Sequence, residues 1–311
     1  MTNPVLAEVV RSGFVESVHR GALVVTGPEG EARLALGDVT SPVFPRSSNK
    51  PLQAVGMLRS GLDFDGEDLA LACASHSGEP GHVKRVLELL AAAGLHEDDL
   101  ACPPDFPLHL PSMRDAAEPR RVMMNCSGKH TAMLTTCLRA GWPTSGYENP
   151  DHPLQQEIAA AVAELTGEPI AHTGVDGCGA PLFAFSLTGL SRAFGRVASA
   201  PDGPARRVAT AMRAHPWLVA GTGREDTALM SAVDSLVSKA GAEGVQAFAL
   251  PDGFAVAIKI DDGNKRACAP LAVAALRYLG ADVTSLPEPA NGSILGGGRP
   301  VGEIRVPELH G

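Results

Sequence analysis

The sequence predicts an α/β sandwich whose sheet is mainly antiparallel, closed by strands from both ends of the chain around a helical subregion. Three observations predict it. Residues 1–36 alternate apolar and polar side chains, with glycine at the turns, which is the period-two signature of short strands. The last third holds a strand pair, "VQAFALPDGFAVAIKI", with Pro251-Asp252-Gly253 as its turn. The stretch between is rich in apolar residues at helical spacing. No internal repeat, low-complexity segment or long linker interrupts the 311 residues, so a single domain over 1–311 is expected.

The elements follow in order. "LAEVVRSGFVESVHRGALVVTGPEGEARLAL" reads as three or four strands. An irregular loop through Pro42 and Pro45 leads to "RSSNKPLQ" and a helix to about Ser60, with Pro51 tolerated because it falls in the first turn. From about Pro80, Val83, Val86, Leu87, Leu89 and Leu90 recur at helical spacing. "CPPDFPLHLPS" is a surface loop, and "CSGKHTAMLTTCLRAG" and "HPLQQEIAAAVAELTG" are two further helices. "VDGCGAPLFAFSLTGLSRAF" begins in a glycine-rich turn and becomes helical. Helices are expected near 203–215 and 224–238. "RACAPLAVAALRYLG" is the last helix, before a Pro/Gly-rich tail ending "GEIRVPELHG".

Bulk chemistry excludes some partners. A formal charge of -9 argues against binding to nucleic acid or to an anionic membrane, both of which need a basic surface. No apolar run reaches the roughly 18–20 residues that span a bilayer, and "MTNPVLAEVVRSG" lacks a secretory pattern. A soluble cytoplasmic protein is expected. Six cysteines are too few for a disulfide scaffold of this length.

Ser47 and Lys50 form the first chemical motif. At a helix start, residues three apart share a face, so a lysine amine can reach the serine hydroxyl and serve as its base. Alone the pair is weak, since chance supplies such spacing and a serine is also an ordinary N-cap. Order strengthens it. Serine acyl-transfer enzymes carry S-x-x-K, then a second serine motif, then K-[ST]-G on a strand. Here Ser75-His76-Ser77 follows, then Lys239-Ala240-Gly241 just before the strand hairpin. Ala240 lacks the hydroxyl of that pattern, and Ser77 stands where asparagine is usual. Lys259 ends the apolar run "FAVAI" on the returning strand and either points to solvent or meets a partner in the cleft.

The sulfurs form a second motif. "CSGKH" sets Cys126, Lys129 and His130 at a helix start, and "GVDGCGAP" sets Cys178 between glycines, two residues after Asp176. Two thiolates with nitrogen or oxygen ligands suit zinc. The same residues also fit a thiol activated by His130 or plain buried cysteines. "GTGREDTAL" lacks a phosphate-loop ending, although Arg224 is able to bind a carboxylate.

Together "PRSSNKPLQA", "CASHSGEPGH", "NCSGKHTAML", "GVDGCGAPLFAFSL" and "FAVAIKIDDG" resemble the Rhizobium-type L-asparaginases, the asparaginase II family, over essentially the whole chain. The resemblance implies a serine β-lactamase/glutaminase-like fold and hydrolysis of L-asparagine to aspartate and ammonia. It implies two pairs, Ser47 with Lys50 and Ser75 with Lys259, the SHS stretch leaving the second serine open by two positions. It also implies zinc held by Cys126, Lys129 and Cys178, with Arg46, Ser77, His130 and Asp176 as pocket neighbours, and a homodimer. A β-lactam, peptide or glutamine hydrolase is the alternative enzyme. Ala240 and the cytoplasmic signature oppose the β-lactam, whereas glutamine differs by one methylene, worth only about 1–3 kcal/mol of discrimination. A non-catalytic zinc-binding protein would not need Ser47, Lys50, Ser75 and Lys259 together.

Overall fold

A computed structural model describes residues 2–286 and 292–309. Its opening strands are β1 (Val5–Arg11), β2 (Phe14–Thr26), β3 (Ala32–Leu36) and β4 (Pro42–Val43). Six helices follow: α1 (Lys50–Arg59), α2 (Gly66–Ala72), α3 (Pro80–Ala92), α4 (Leu110–Asp115), α5 (Ser127–Ala140) and α6 (Pro153–Thr166). A hairpin, β5 (His172–Val175) and β6 (Pro181–Ser186), precedes α7 (Leu187–Ser199), α8 (Gly203–Ala214), α9 (Pro216–Val219) and α10 (Glu225–Ala232). The chain then runs through β7 (Val237–Gly241), β8 (Val245–Ala249), β9 (Ala255–Ile260), α11 (Cys268–Tyr278), β10 (Ser293–Gly296) and β11 (Arg299–Arg305). The contacts divide it into two compact units: 1–48, 185–199 and 228–311, and 49–184 with 200–227.

The first unit is α/β. Its main sheet runs β10-β11-β1-β2-β9-β8-β7, with β3 also on β2, and every pairing is antiparallel. The expected closure by both termini is seen where β1 pairs with β11. The 13-residue β2 does two jobs, pairing with β1 through Phe14–Arg20 and with β9 from Gly21 onward. Gly21 marks that change of partner. A Cβ there would collide with the Lys259 carbonyl, so only glycine allows the approach.

Alternation sorts the two faces of this sheet. Leu23, Val25, Val256, Ile258 and Ile260 share a buried cluster with Leu271, Ala272 and Leu276 of α11. Their alternates face the other way against α7, where Thr26 and Ser191 exchange a 2.8 Å hydrogen bond and a Cβ at Gly195 would lie 3.6 Å from that of Ala255. The period of two therefore puts Lys259 on the α7 face, in line with Ala255 and Ala257.

The second unit is mostly helical, with the β5–β6 hairpin reaching as far as Ala184. Every residue of α1 from Lys50 to Leu58 is buried, so this helix is surrounded rather than amphipathic. It touches α6 closely: a Cβ on Gly56 would come within 2.9 Å of Ile158 Cα. Alanine at position 56 would gain about 1 kcal/mol of helix propensity, but overpacking against backbone costs about 1–3 kcal/mol or more. We expect Gly56→Ala to lower the thermal midpoint; a raised midpoint would refute the close α1–α6 approach. Both α5 and α6 end at glycines in the left-handed conformation, Gly141 and Gly167.

Three sequence expectations need correction. "PLFAFS" is a strand, not the start of a helix, because a fully buried apolar run carries no period to tell the two apart. The helix expected over 224–238 stops at Ala232, and Ser235, with φ of 55°, turns the chain away. Lys239-Ala240-Gly241 consequently lies within β7 rather than before the hairpin. The Pro/Gly-rich tail forms the β10–β11 hairpin, and its residues 287–291 lie outside those described.

Candidate active site

The 3-10 turn Arg46–Asn49 delivers the chain into α1. Arg46 has φ of 52°, the left-handed region that a non-glycine residue occupies only at a cost. Within its unit its guanidinium stands 3.7 Å from Glu243. The two serines of this turn differ. Ser48 is buried and donates to the Pro45 carbonyl at 2.7 Å, pinning the turn, while Ser47 is half-buried.

Lys50, the first residue of α1, is 1% exposed. Its amine lies 2.6 Å from the Ala74 carbonyl, 2.9 Å from Ser75 Oγ and 3.1 Å from Cys126 Sγ. Three N–H donors meet three acceptors. The serine that Lys50 holds is thus Ser75.

The Ser75–Glu79 stretch is held from two sides. Ser75 N donates to the Val219 carbonyl at 3.0 Å, and His76 N to the Asn125 carbonyl at 3.1 Å. His76 Nε2 lies 2.9 Å from Ser127 Oγ, and burial, with His82, Lys50 and Arg224 nearby, holds this imidazole well below its usual pKa. Ser77 Oγ donates to the Ala220 carbonyl at 2.8 Å. Of the two serines in SHS, Ser75 faces the lysine and Ser77 anchors a loop.

Lys259 is placed in the first unit, where its amine donates to the carbonyls of Glu243 at 2.7 Å and Ile260 at 2.6 Å. Burial lowers its pKa. Lys239 is fully buried on β7, its amine 2.8 Å from the Ala240 carbonyl.

The sulfur residues converge in the second unit. Lys129, 1% exposed on α5, reaches Cys178 Sγ at 3.2 Å. Cys126, Lys129 and His130 nearby hold the Cys178 pKa far below that of a free thiol. The neighbouring Cys178 sulfur, together with burial, pushes Cys126 up. Cys126 keeps its proton, which Asn125 Oδ1 accepts at 2.9 Å, and Cys178 is the sulfur that faces the Lys129 charge. Burial works against the Lys129 charge, but Cys178, Cys126 and Asp176 outweigh it and keep the amine protonated. The Asp176 carboxylate is half-buried, one oxygen accepting from Gly177 N at 2.9 Å and the other 4.0 Å from Cys178 Sγ.

His130 completes the cluster. Its Nδ1 lies 2.6 Å from Tyr147 Oη, which already accepts from Ala101 N at 2.9 Å. The phenol still has its own proton to offer Nδ1, and the opposite ring nitrogen is Nε2. That Nε2 is buried without a hydrogen-bond partner at ordinary distance and faces Cys178. Among the described residues no group of three or more His, Cys, Asp or Glu side chains is arranged to hold a metal; the set here is two sulfurs and an amine. Such donors fit zinc: sulfur is soft, the three groups are buried together, and an amine beside the ion can give up its proton to ligate.

Sequence reasoning missed Asn125, whose side chain accepts from the Cys126 thiol at 2.9 Å, and Tyr147. The former lies immediately before Cys126 in "NCSGKHTAML". The latter, distant in sequence, carried no spacing signal.

A model of the L-asparaginase II family matches residues 7–306. No curated protein sequence is matched. Among solved structures, Mglu in its native form is similar with a TM-score of 0.47 at 14% identity, over 89% of this chain and 68% of that one. A β-lactamase from Mycobacterium bovis gives 0.43 at 16% identity, over 83% and 94%. A hydrolase with promiscuous acyltransferase activity gives 0.40 at 12%, over 78% and 88%. No helix among the described residues is long and apolar enough to cross a membrane.

Proposed function

The chain belongs to the L-asparaginase II family, and on that premise we propose that it hydrolyses the side-chain amide of L-asparagine to L-aspartate and ammonia through a serine ester. The observation that carries the reading is the buried hydrogen bond between Lys50 Nζ and Ser75 Oγ. A buried serine with an amine in reach is the minimum machinery for acyl transfer.

Ser47 and Ser75 are both candidates for the attacking oxygen. The 2.9 Å bond favours Ser75, because a base must reach the proton that it takes. In that step Lys50, reacting as the neutral amine rather than as the three-proton ammonium, accepts the Ser75 hydroxyl proton as Oγ bonds to the amide carbon. The proton passes to the departing nitrogen, the C–N bond breaks, and ammonia leaves behind a β-aspartyl ester. A water molecule then gives its proton to the same amine, attacks the ester, and Ser75 recovers its hydroxyl. Ser47 and Lys259 are assigned to proton relay or oxyanion stabilisation. Arg46, Ser77, His130 and Asp176 are assigned to the substrate.

Zinc is assigned to Cys126, Lys129 and Cys178. When bound there it would supply a fixed positive charge beside the pocket. The proposed working form is a cytoplasmic homodimer, which sedimentation would check.

Ammonia release from L-asparagine and L-glutamine by wild type, Ser47→Ala and Ser75→Ala tests the reading, with mass spectrometry of quenched protein to find the esterified peptide. We expect the ester on the peptide that carries Ser75 and none in Ser75→Ala. An ester on Ser47 would move the attack to that residue. Full activity in both variants would end the serine mechanism.

A further inference from the structure

We propose that Arg224 binds the α-carboxylate of the amino-acid substrate, and that Glu79, acting through Thr222, is the positioning residue that aims it. The proposal rests on the amidohydrolase reading above.

The guanidinium of Arg224 lies beside the serine that Lys50 holds, its Nη1 donating weakly to the Ser75 carbonyl at 3.4 Å. It is close enough to His76 and His82 to disfavour the protonation of both. Its own needs are poorly met. Nε is buried with no hydrogen-bond partner, and the nearest carboxylate oxygen, on Glu225, stands at 3.6 Å. A part-exposed pair at that distance contributes little. A buried N–H without an acceptor is a loss that native proteins rarely carry without purpose. A planar fork of donors suits a carboxylate. In asparagine a short carbon spacer separates the α-carboxylate from the amide carbon, so a substrate whose amide meets Ser75 brings its carboxylate into the neighbourhood of Arg224.

The loop that carries Arg224 is built rigidly. Glu79, 7% exposed, receives Thr222 N at 2.8 Å on one oxygen and Thr222 Oγ1 at 2.7 Å on the other. Burial alone would raise this carboxyl, but the two bonds from Thr222 outweigh it and keep the group ionised. Gly221 has φ of 123° and no room for a side chain, since a Cβ would collide with Ser77 Oγ and lie 2.6 Å from Glu79 Oε1. Thr227 closes the turn, its hydroxyl donating to the Gly221 carbonyl at 2.8 Å. Both Glu79 oxygens are engaged by this loop, and the Arg224 guanidinium keeps only the long contacts to Ser75 and Glu225.

Comparing L-asparagine with β-alaninamide, which is asparagine without its α-carboxylate, isolates the contact. A charge-assisted bond is typically worth a factor of about 10 to 100. Arg224→Gln should therefore lower kcat/KM for asparagine by about that factor, mostly through KM, and leave β-alaninamide nearly unchanged. Glu79→Gln and Thr222→Val should shift the same ratio less, because the loop loosens while the charge remains. An equal fall on both substrates would reduce Arg224 to a structural role. Loss of discrimination in Arg46→Gln alone would assign the carboxylate to Arg46. If wild type hydrolyses neither compound, the amidohydrolase reading fails, and calorimetry with L-aspartate and β-alanine decides this one. Aspartate binding abolished by Arg224→Gln supports it, and binding that persists unchanged overturns it.

Discussion

Lys50→Met is expected to lower the rate of asparagine hydrolysis by about 10²–10⁴-fold, the usual contribution of a positioned acid–base group. Methionine keeps the length and the apolar stem, so α1 should still pack among its neighbours. What goes is the amine that serves Ala74, Ser75 and Cys126 together. The loss should fall on kcat, because the residue moves a proton rather than binds substrate. A second effect accompanies it. The Ala74 carbonyl and the Ser75 hydroxyl lose their buried donor, at about 1–3 kcal/mol for each group left unmet. Lys50→Arg separates the two effects, since a guanidinium can still donate but does not give up a proton. Activity near wild type in Lys50→Met would make the hydrogen bond to Ser75 structural only, and would remove the observation on which the proposed reaction stands.

What the sequence made legible were local features. The strands of residues 5–36, the turn at Pro251-Asp252-Gly253 and the helices behind Pro80 and Pro153 all announce themselves through period, proline or glycine within a few residues. Where the period vanished the reading failed. Pro181–Ser186 is buried on every residue and its pattern could not say strand. The site shows the same division. Ser47, Lys50, Ser75, Cys126, Lys129 and Cys178 could be picked out because each sits in a compact motif. Which lysine meets which serine is a tertiary fact. Lys50 is three positions from Ser47, yet the partner its amine holds lies 25 positions on, at Ser75. No spacing rule reaches that far, and only the packing of α1 against its neighbours decides it. Tyr147 and Glu79 were missed for the same reason, as each acts through a residue distant in the chain.

Cys178→Ala should lose zinc and, in metal-free protein held in chelator, should also lose about 3–5 kcal/mol of stability, the usual penalty when one partner of a buried ion pair is removed. The groups left behind set this cost. Lys129 is buried on α5 with its amine against the Cys178 sulfur at 3.2 Å. Without the thiolate its charge faces the thiol of Cys126 and the more distant Asp176, neither of which can replace a negative sulfur in direct contact. The double variant Lys129→Met, Cys178→Ala removes both charges and should be more stable than Cys178→Ala alone, since an apolar pair of similar volume does not have to be desolvated as ions. Chemical denaturation of the wild type, the two single variants and the double variant gives the coupling energy, and elemental analysis gives the metal. A coupling near zero would mean that Lys129 and Cys178 do not form a buried ion pair. Zinc retained at full occupancy in Cys178→Ala would remove this cysteine from the ligand set, whatever the stability shows.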